Sequence, residues 1–542
     1  MSYEGSIANI ILGQMGLYTD DPQTITPANA LIKANNIQYT FGSVEKVGGS
    51  SRLNANHVLP AGVGAFFDWW PDPSTQRLIA ACKDGKIYKY NSPLGSYFEV
   101  TPEASAPATL LINNQTYMMS GGSEALGSAN KLFIYNGRDI PQVIEGDSLT
   151  RRNIALPAAD WTGTNQPTFG IIHRGHHFAF GNRNLPHQVY ISPADNQEDF
   201  TGSSSLTASV YPGQGEKLIS GFIYKNVLYL IKYPSGLYQL IDTDPDPVNW
   251  YFVQLQDELG GASAHGCAPI VNDQWIANSN GGISSITQVN AFGNIRSGDV
   301  FAELRNQQFV RQFTNQQGIF NRHMIWYSDK LTIIAAYQSA GNFKNDLLCY
   351  IDLNSKNGPR VSWSDKDQPN CLGLIKDIQG IKRPAYGSDD GYIYLLDRAD
   401  RAVNGEGYIG DFQTAYNDFS NVQLDNATPS NLAQMNKIYD FIEPVFEPTG
   451  DFDVNIDVFV DGIFKKTIPF NMSSKANLES LKLDSSTLDF GAPREGRKPI
   501  NLQGRRISFR CYNDGAGENF KISKIIVYFR LSDQAQKPVG GP

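Results

Sequence analysis

The chain has 542 residues, long enough to bury more than one core, and 41% hydrophobic, 11% aromatic and 18% charged residues, a balance that excludes a disordered chain. Its formal net charge of −9, without a long basic run, argues against general nucleic-acid affinity, and no apolar run approaches the roughly 18 residues of a membrane-spanning helix. The five cysteines, Cys82, Cys267, Cys349, Cys371 and Cys511, show neither zinc-ribbon nor redox spacing and read as reduced, buried hydrophobes made in a cytoplasm. The opening MSYEGSIANIILGQMG lacks a basic leader and a cleavage site, so no secretory signal is expected.

Residues 1–55 read as an N-terminal arm leading into a first strand. From 56 to 398 one pattern keeps returning: a short β-rich run, a turn with Gly, Asp or Asn, and a second run. RLIAACKDGKIYKY (Arg77–Tyr90) turns at Asp84-Gly85, and KLFIYNGRDIPQVI (Lys131–Ile144) at Asn136-Gly137, both strong hairpin signals. HHFAFGNRNLPHQVYIS turns near Gly181-Asn182. Next come FIYKNVLYLIKYPSGLYQLI (Phe222–Ile241), APIVNDQWIANSNGGISSI (Ala268–Ile286), HMIWYSDKLTIIAAY with NDLLCYIDL (His323–Leu353), and GIKRPAYGSDDGYIYLLD (Gly380–Asp397). These seven modules recur at roughly 45 to 65 residues, the spacing of four-stranded propeller blades. The expected fold is all-β: a β-propeller of six to eight blades, seven as the central count. DVFAELRNQQFVRQF (Asp299–Phe313), with Asp299 as N-cap and Glu303 in the early turns, is the one good helix candidate.

After residue 398 the pattern changes. Residues 399–435 are polar and weakly periodic and read as a linker or irregular arm. Between 436 and 532, DVNIDVFVDGIFKKTI (Asp453–Ile468) alternates strictly around an Asp461-Gly462 turn, RRISFRCY (Arg505–Tyr512) alternates Ile507, Phe509 and Cys511, and FKISKIIVYFRL (Phe520–Leu531) completes a C-terminal β-sandwich. Residues 533–542 read as a mobile tail.

Several stretches carry residue types associated with chemistry. His173, His176 and His177 offer three imidazoles, but neighbours on a strand face opposite sides, so 176 and 177 do not grip one ion. DTDPDPVNWYFV (Asp242–Val253) begins like a calcium loop, yet Pro247 and Val253 stand where Gly and Glu are needed. GEGYIG (Gly405–Gly410) fits GxGxxG without a strand before it or an apolar helix after it. Asp389-Asp390 sits in a turn, where Asp bonds its own backbone. Trp69-Trp70 is either a glycan platform or an inter-blade plug, and the plug is favoured. The sequons at Asn114, Asn426 and Asn471 carry no weight without secretion. The densest basic patch, Arg494–Arg506 with Arg497, Lys498 and Arg505, is short. No catalytic, cofactor-binding or metal residue is assigned, and no cofactor is expected.

PTFGIIHRGHHFAFGNRNLPHQVYISPADNQEDF (Pro167–Phe200) resembles a blade of the tail hub and nozzle proteins of short-tailed bacteriophages. The hairpin residues are Asn184, Pro186, Val189 and Ser192, and the acidic turn is Glu198-Asp199-Phe200. LQDELGGASAHGCAPIVNDQWIANSNGG (Leu255–Gly282) and PANALIKANNIQYTFGSVEKVGGSSRLN (Pro27–Asn54) are similar to further segments of that family. The resemblance covers about Pro27 to Asp397 and implies a structural virion protein, not an enzyme. It implies a ring homo-oligomer, a hexamer, that contacts the portal or adaptor and the fibre or needle proteins. DNA would pass through the lumen without specific binding, and the protein would not insert in a membrane. The implied location is the virion tail, after assembly in the bacterial host cytoplasm. The rival expectation is a propeller glycan-binding or glycan-cleaving protein of a phage or bacterium.

Overall fold

The computed structural model describes residues 6–22, 26–40, 42–91, 95–113, 115–122, 130–213, 215–270, 272–288, 299–303, 306, 310–312, 314–377, 380–420, 429–447, 449–450, 452–472 and 496–532. The sequons at Asn114 and Asn426, Ser473 of the third, Arg494 of the basic patch, part of the Asp299–Phe313 stretch and the tail 533–542 lie outside the described residues. The chain is all-β, and no helix among the described residues is long and apolar enough to cross a membrane.

Seven antiparallel sheets follow one another along the chain. Sheet 1 spans 63–99, sheet 2 117–153 with a short parallel addition at Thr101–Pro102, sheet 3 169–209, sheet 4 217–256, the three-stranded sheet 5 267–285, sheet 6 323–364 and sheet 7 371–398. Turn chemistry fixes the hairpins. Asp84 Oδ1 accepts the Lys86 N–H at 3.0 Å and Gly85 takes φ 86°. Asn136 Oδ1 accepts from the N–H groups of Arg138 and Asp139, each at 2.9 Å, with Gly137 at φ 71°. A positive φ there costs glycine nothing.

Each sheet is buried on both faces, which explains continuous apolar runs such as LIAAC in place of strict alternation. In the sheet 1 strand Thr75–Cys82, Leu78, Ala80 and Cys82 pack with Cys371, Ala385 and Ile393 of sheet 7. The intervening Ile79 and Ala81 pack with Met118, Leu132 and Ile134 of sheet 2. The same alternation repeats onward. Phe133 and Tyr135 meet Ala179 and Tyr190, Phe178 and Phe180 meet Leu228 and Leu230, and Ile231 meets Ile276. Trp275 of sheet 5 shares a cluster with Ile333 and Tyr337 of sheet 6, and Ile334 and Leu348 of sheet 6 meet Leu372 and Tyr386 of sheet 7. Sheet 7 therefore packs on sheet 1, and the order is cyclic. Each fully buried Leu, Ile or Phe at these seams contributes about 1.5–3 kcal/mol of hydrophobic stabilisation.

The N-terminal stretch supplies five strands: β1 (Ser6–Ile11), β2 (Leu31–Asn35), β3 (Ile37–Thr40), β4 (Ser43–Lys46) and β5 (Gly49–Arg52). β5 completes sheet 7 as its fourth strand, Ser51 opposite Leu395 and Arg52 opposite Tyr394. A buried polar lock holds it. Ser50 Oγ donates to Asp367 Oδ1 at 2.6 Å, the Tyr386 hydroxyl donates to the same oxygen at 3.1 Å, and the Lys366 ammonium pairs with Oδ2, both side chains fully buried. The backbones approach so closely that a Cβ on Gly48 would meet Asp397 at 2.5 Å.

β1, β3 and β4 join the strands Lys437–Phe446, Lys498–Gly504 and Lys521–Leu531 in one six-stranded sheet. β2 pairs with Gly410–Thr414, which continues through Ile507–Asn513 and Asp453–Val460 to Ile463–Asn471, and the parallel bridge Asn35–Trp363 attaches this sheet to sheet 6. The alternating positions Val454, Ile456, Val458 and Val460 are each at most 1% exposed, and they share a core cluster with Tyr439, Ile525, Val527 and Phe529 of the six-stranded sheet. Asp461 and Gly462, at φ 51° and 84°, make the turn as expected.

Within the expected arm 1–55, β1, β2 and β4 pair with strands beyond residue 409, and the stretch 399–435 contains the strand Gly410–Thr414, whose Asp411, Phe412 and Thr414 are buried. Of the Asp299–Phe313 stretch, Val300–Glu303 is helical and Asp299 Oδ1 accepts the Phe301 N–H at 2.9 Å.

Candidate functional site

The histidine-rich stretch forms the hairpin Phe169–His173 and His176–Phe180, turning through Arg174 and Gly175 at φ 50° and 84°. Its three imidazoles are committed in three directions. His173 Nε2 bonds Asp242 Oδ2 at 2.7 Å, and Arg174 Nε reaches the same oxygen at 2.8 Å. His176 Nδ1 donates to the Ser192 carbonyl at 2.7 Å, with its ring edge on Trp250. His177 Nδ1 donates to the Gln197 carbonyl at 2.7 Å and Nε2 accepts from the Tyr135 hydroxyl. Burial pushes the His177 imidazole down to about 4, so it stays neutral near pH 7. Among the described residues no group of three or more His, Cys, Asp or Glu is placed to hold a metal ion.

The residues of the quoted hairpin and acidic turn tie sheet to sheet. The Asn184 N–H donates to Asn165 Oδ1 at 2.9 Å, the Pro186 carbonyl accepts the Leu218 N–H of sheet 4 at 2.8 Å, and Val189 is fully buried between sheets 3 and 4. Ser192 Oγ accepts the His177 N–H at 3.0 Å. Glu198 reaches into sheet 2, where it accepts from Lys131 Nζ at 2.7 Å, from Arg152 Nη1 and Nη2 at 2.5 and 2.9 Å, and from the Ala155 N–H at 3.0 Å. Burial acts to raise its proton affinity, but Arg152 and Lys131 outweigh burial and hold the carboxyl down at about 2. Asp199 caps the backbone of Thr201 and Gly202, and Phe200 packs on Trp161.

The remaining motifs resolve into local structure. In the acidic loop, Asp244 accepts from the Asp246 N–H and Asp246 from the Val248 N–H, while Trp250 Nε1 donates to the Asp244 carbonyl. GEGYIG leads into a strand, and the Tyr408 hydroxyl donates to the Val47 carbonyl. Asp389 accepts from Lys83, Lys344 and Asn370, joining sheets 1, 6 and 7. Arg497 lies 3.9 Å from the Tyr528 ring centroid, and Lys498 Nζ donates to the Pro469 carbonyl at 2.5 Å. The five thiols are unpaired, and burial pushes Cys267 up to about 11 and Cys371 up to about 12.

The tryptophan pair splits. Trp69 is wholly buried between sheets 1 and 2, whereas Trp70 lines a cavity of ≈410 Å³. This cavity lies where the first strands of sheets 1, 2, 6 and 7 converge. Thr116, His265 and His323 line it; His265 Nε2 donates to the Thr116 carbonyl at 3.0 Å and its ring stacks on His323 at 4.2 Å. Burial holds His265 down at about 4. Asp68, Lys376 and Lys382 line it as well. The convergence is invisible in sequence, because its members come from separate sheets and none stands in a local motif. A second, more open space of ≈400 Å³ lies against β2, lined by Lys33, Lys366, Asp411 and Arg510 among others.

No protein-family model and no curated protein matches the chain. Among solved structures it is similar to the computationally designed Ika8 protein, at 10% identity and TM-score 0.36, over 71% of this chain and 100% of that one. It is also similar to the extracellular domain of a protein described as a hybrid two-component system of B. thetaiotaomicron, at 12% identity and TM-score 0.40, over 65% of this chain and 40% of that one.

Proposed function

We propose that the chain is a structural subunit of a short bacteriophage tail: a seven-bladed β-propeller with a C-terminal β-sandwich that assembles into a ring, a hexamer, extending the DNA channel below the portal or adaptor and supporting fibres or the tail tip during genome ejection. The cyclic packing of seven sheets, with β5 completing the last, supports the propeller; the two facing sheets that share one core support the sandwich. The observation that carries the scaffold reading is the use made of the Pro167–Phe200 motif. Its distinctive groups, the Asn184 backbone N–H, the Ser192 hydroxyl, the Glu198 carboxylate and the Phe200 ring, are spent on contacts within and between sheets. Such residues set the shape of a part in an assembly. The rival, a propeller that binds or cleaves glycans, predicts a different particle. Negative-stain electron microscopy of the purified protein separates the two. Closed rings with a central pore support the tail reading, and compact monomers retained on a glycan resin overturn it.

A further inference from the structure

Lys376 ends the first strand of sheet 7 (Cys371–Lys376) and Lys382 begins the second (Lys382–Gly387); the two are direct cross-strand partners. Residues directly opposite on an antiparallel pair share a face, and like charges placed so destabilise the pair. Both line the ≈410 Å³ cavity, and among the described residues neither forms an ion pair. The carboxylate that lines the same cavity, Asp68, attracts Lys376 but spends its hydrogen bonds elsewhere: Oδ1 accepts from Gln76 Nε2 at 2.7 Å and Oδ2 from the Lys376 backbone N–H at 2.9 Å. The Lys376 ammonium instead lies 4.9 Å from the Trp70 ring centroid, held by an aromatic face that leaves its N–H groups unspent. Beside this cationic pair the wall is apolar: Phe66, Ile325, Leu372 and Leu374. The volume falls within the range of small-molecule sites, about 300–1,000 Å³, and the combination of an apolar wall with a few convergent polar groups is their usual make-up.

We propose that this cavity binds a small organic anion, a carboxylated or phosphorylated molecule of sugar size, with its acid group at Lys376 and Lys382 and its body against Phe66, Trp70 and Ile325. The convergence is the reason: two ammonium groups on directly opposite strand positions share one cavity wall with an aromatic and apolar surface, and a bound anion complements that charge. The inference does not depend on ring assembly, since every residue belongs to one chain.

The test titrates the full chain with glucuronate, glucose 6-phosphate, glucose and inorganic phosphate, read by calorimetry and thermal shift. Saturable binding of either charged sugar, at least tenfold tighter than glucose and weakened by added salt, is expected. Lys376→Gln and Lys382→Gln should each weaken it at least tenfold, and the exposed Lys382 should be replaceable without lowering the melting temperature of the free protein. A carboxylate-only or phosphate-only response identifies which acid group the site takes. No saturation by either charged sugar at concentrations on the order of 10 mM overturns the proposal. So do equal affinity for glucose, binding that inorganic phosphate matches, lysine variants that bind as wild type, or a Lys382→Gln variant that melts lower when free.

Discussion

Removing the Glu198 carboxylate should cost stability in proportion to the charges it leaves behind. Glu198→Gln keeps the shape and one acceptor oxygen but turns an amide NH2 toward Lys131 and Arg152. The Glu198 side chain is 3% exposed, and its partners Lys131 and Arg152 are 18% and 25% exposed. Breaking a buried pair by deleting one partner costs about 3–5 kcal/mol. Arg152 retains Glu145 at 3.0 Å, so the lower end applies, about 3 kcal/mol. Linkage gives an independent figure. The folded carboxyl sits at about 2 against an ordinary 4.5, and this difference corresponds to roughly 3 kcal/mol. A carboxyl depressed in the folded state stabilises fully above its unfolded value and loses that contribution as pH falls toward the folded one. The difference between wild type and variant should therefore be present at pH 7 and shrink steadily between about pH 5 and 2. Urea titrations at a series of pH values, with hydrogen exchange at Thr150–Asn153 to localise the effect, measure it. A difference below about 1 kcal/mol at pH 7, or one that stays constant down to pH 3, would refute the reasoning.

Four further outcomes are expected. Asp367→Ala strips Lys366 of its buried partner and frees Ser50 and Tyr386, so it should cost about 3–5 kcal/mol; hydrogen exchange should accelerate first at Gly49–Arg52, and uniform acceleration across all sheets would count against the lock. The purified protein should carry no stoichiometric zinc, since the three imidazoles already serve separate partners; one zinc per chain by elemental analysis, lost in His173→Ala, would contradict this. A single protease cut between Asp397 and Gln434 should leave the two fragments co-eluting in native size exclusion, because β1, β2 and β4 pair with C-terminal strands; a freely separating C-terminal fragment would show that those pairings are weak. Duplex DNA should bind more weakly than micromolar at physiological salt, given the net charge of −9 and the engagement of Arg497 and Lys498; tighter binding with a steep salt slope would reveal a phosphate-contacting face.

What could be read in advance was local. Asp84-Gly85, Asn136-Gly137 and Asp461-Gly462 announce hairpins because the turn chemistry lies within four residues of chain. The alternation from Val454 to Val460 fixes an inward face for the same reason. The strand Gly410–Thr414, GDFQT, has no apolar period to show; its strand character comes from β2 and Ile507–Asn513 on either side. The separation of Trp69 from Trp70 follows from the period of two along a strand, but which of them meets core depended on the neighbouring sheets. The meeting of Asp68, Lys376 and the two histidines required the whole cyclic order, and no single stretch contains it.

The pairing of β1 with Lys521–Leu531, and of β5 with Ile393–Arg398, has a consequence for biosynthesis. At about 5–20 residues per second, a ribosome needs on the order of half a minute to two minutes to carry the chain from Ser6 to Leu531. Throughout that time β1 has no partner, and the cycle of sheets stays open until Arg398 has left the exit tunnel. Sheets 1 to 6 must wait as a stack with exposed apolar faces at both ends, the kind of intermediate that recruits holding chaperones or adheres to its own siblings. Completion thus waits for Leu531, so a nascent chain truncated before that strand would present its unsealed ends to the cell, where proteolysis would remove it before it entered any assembly.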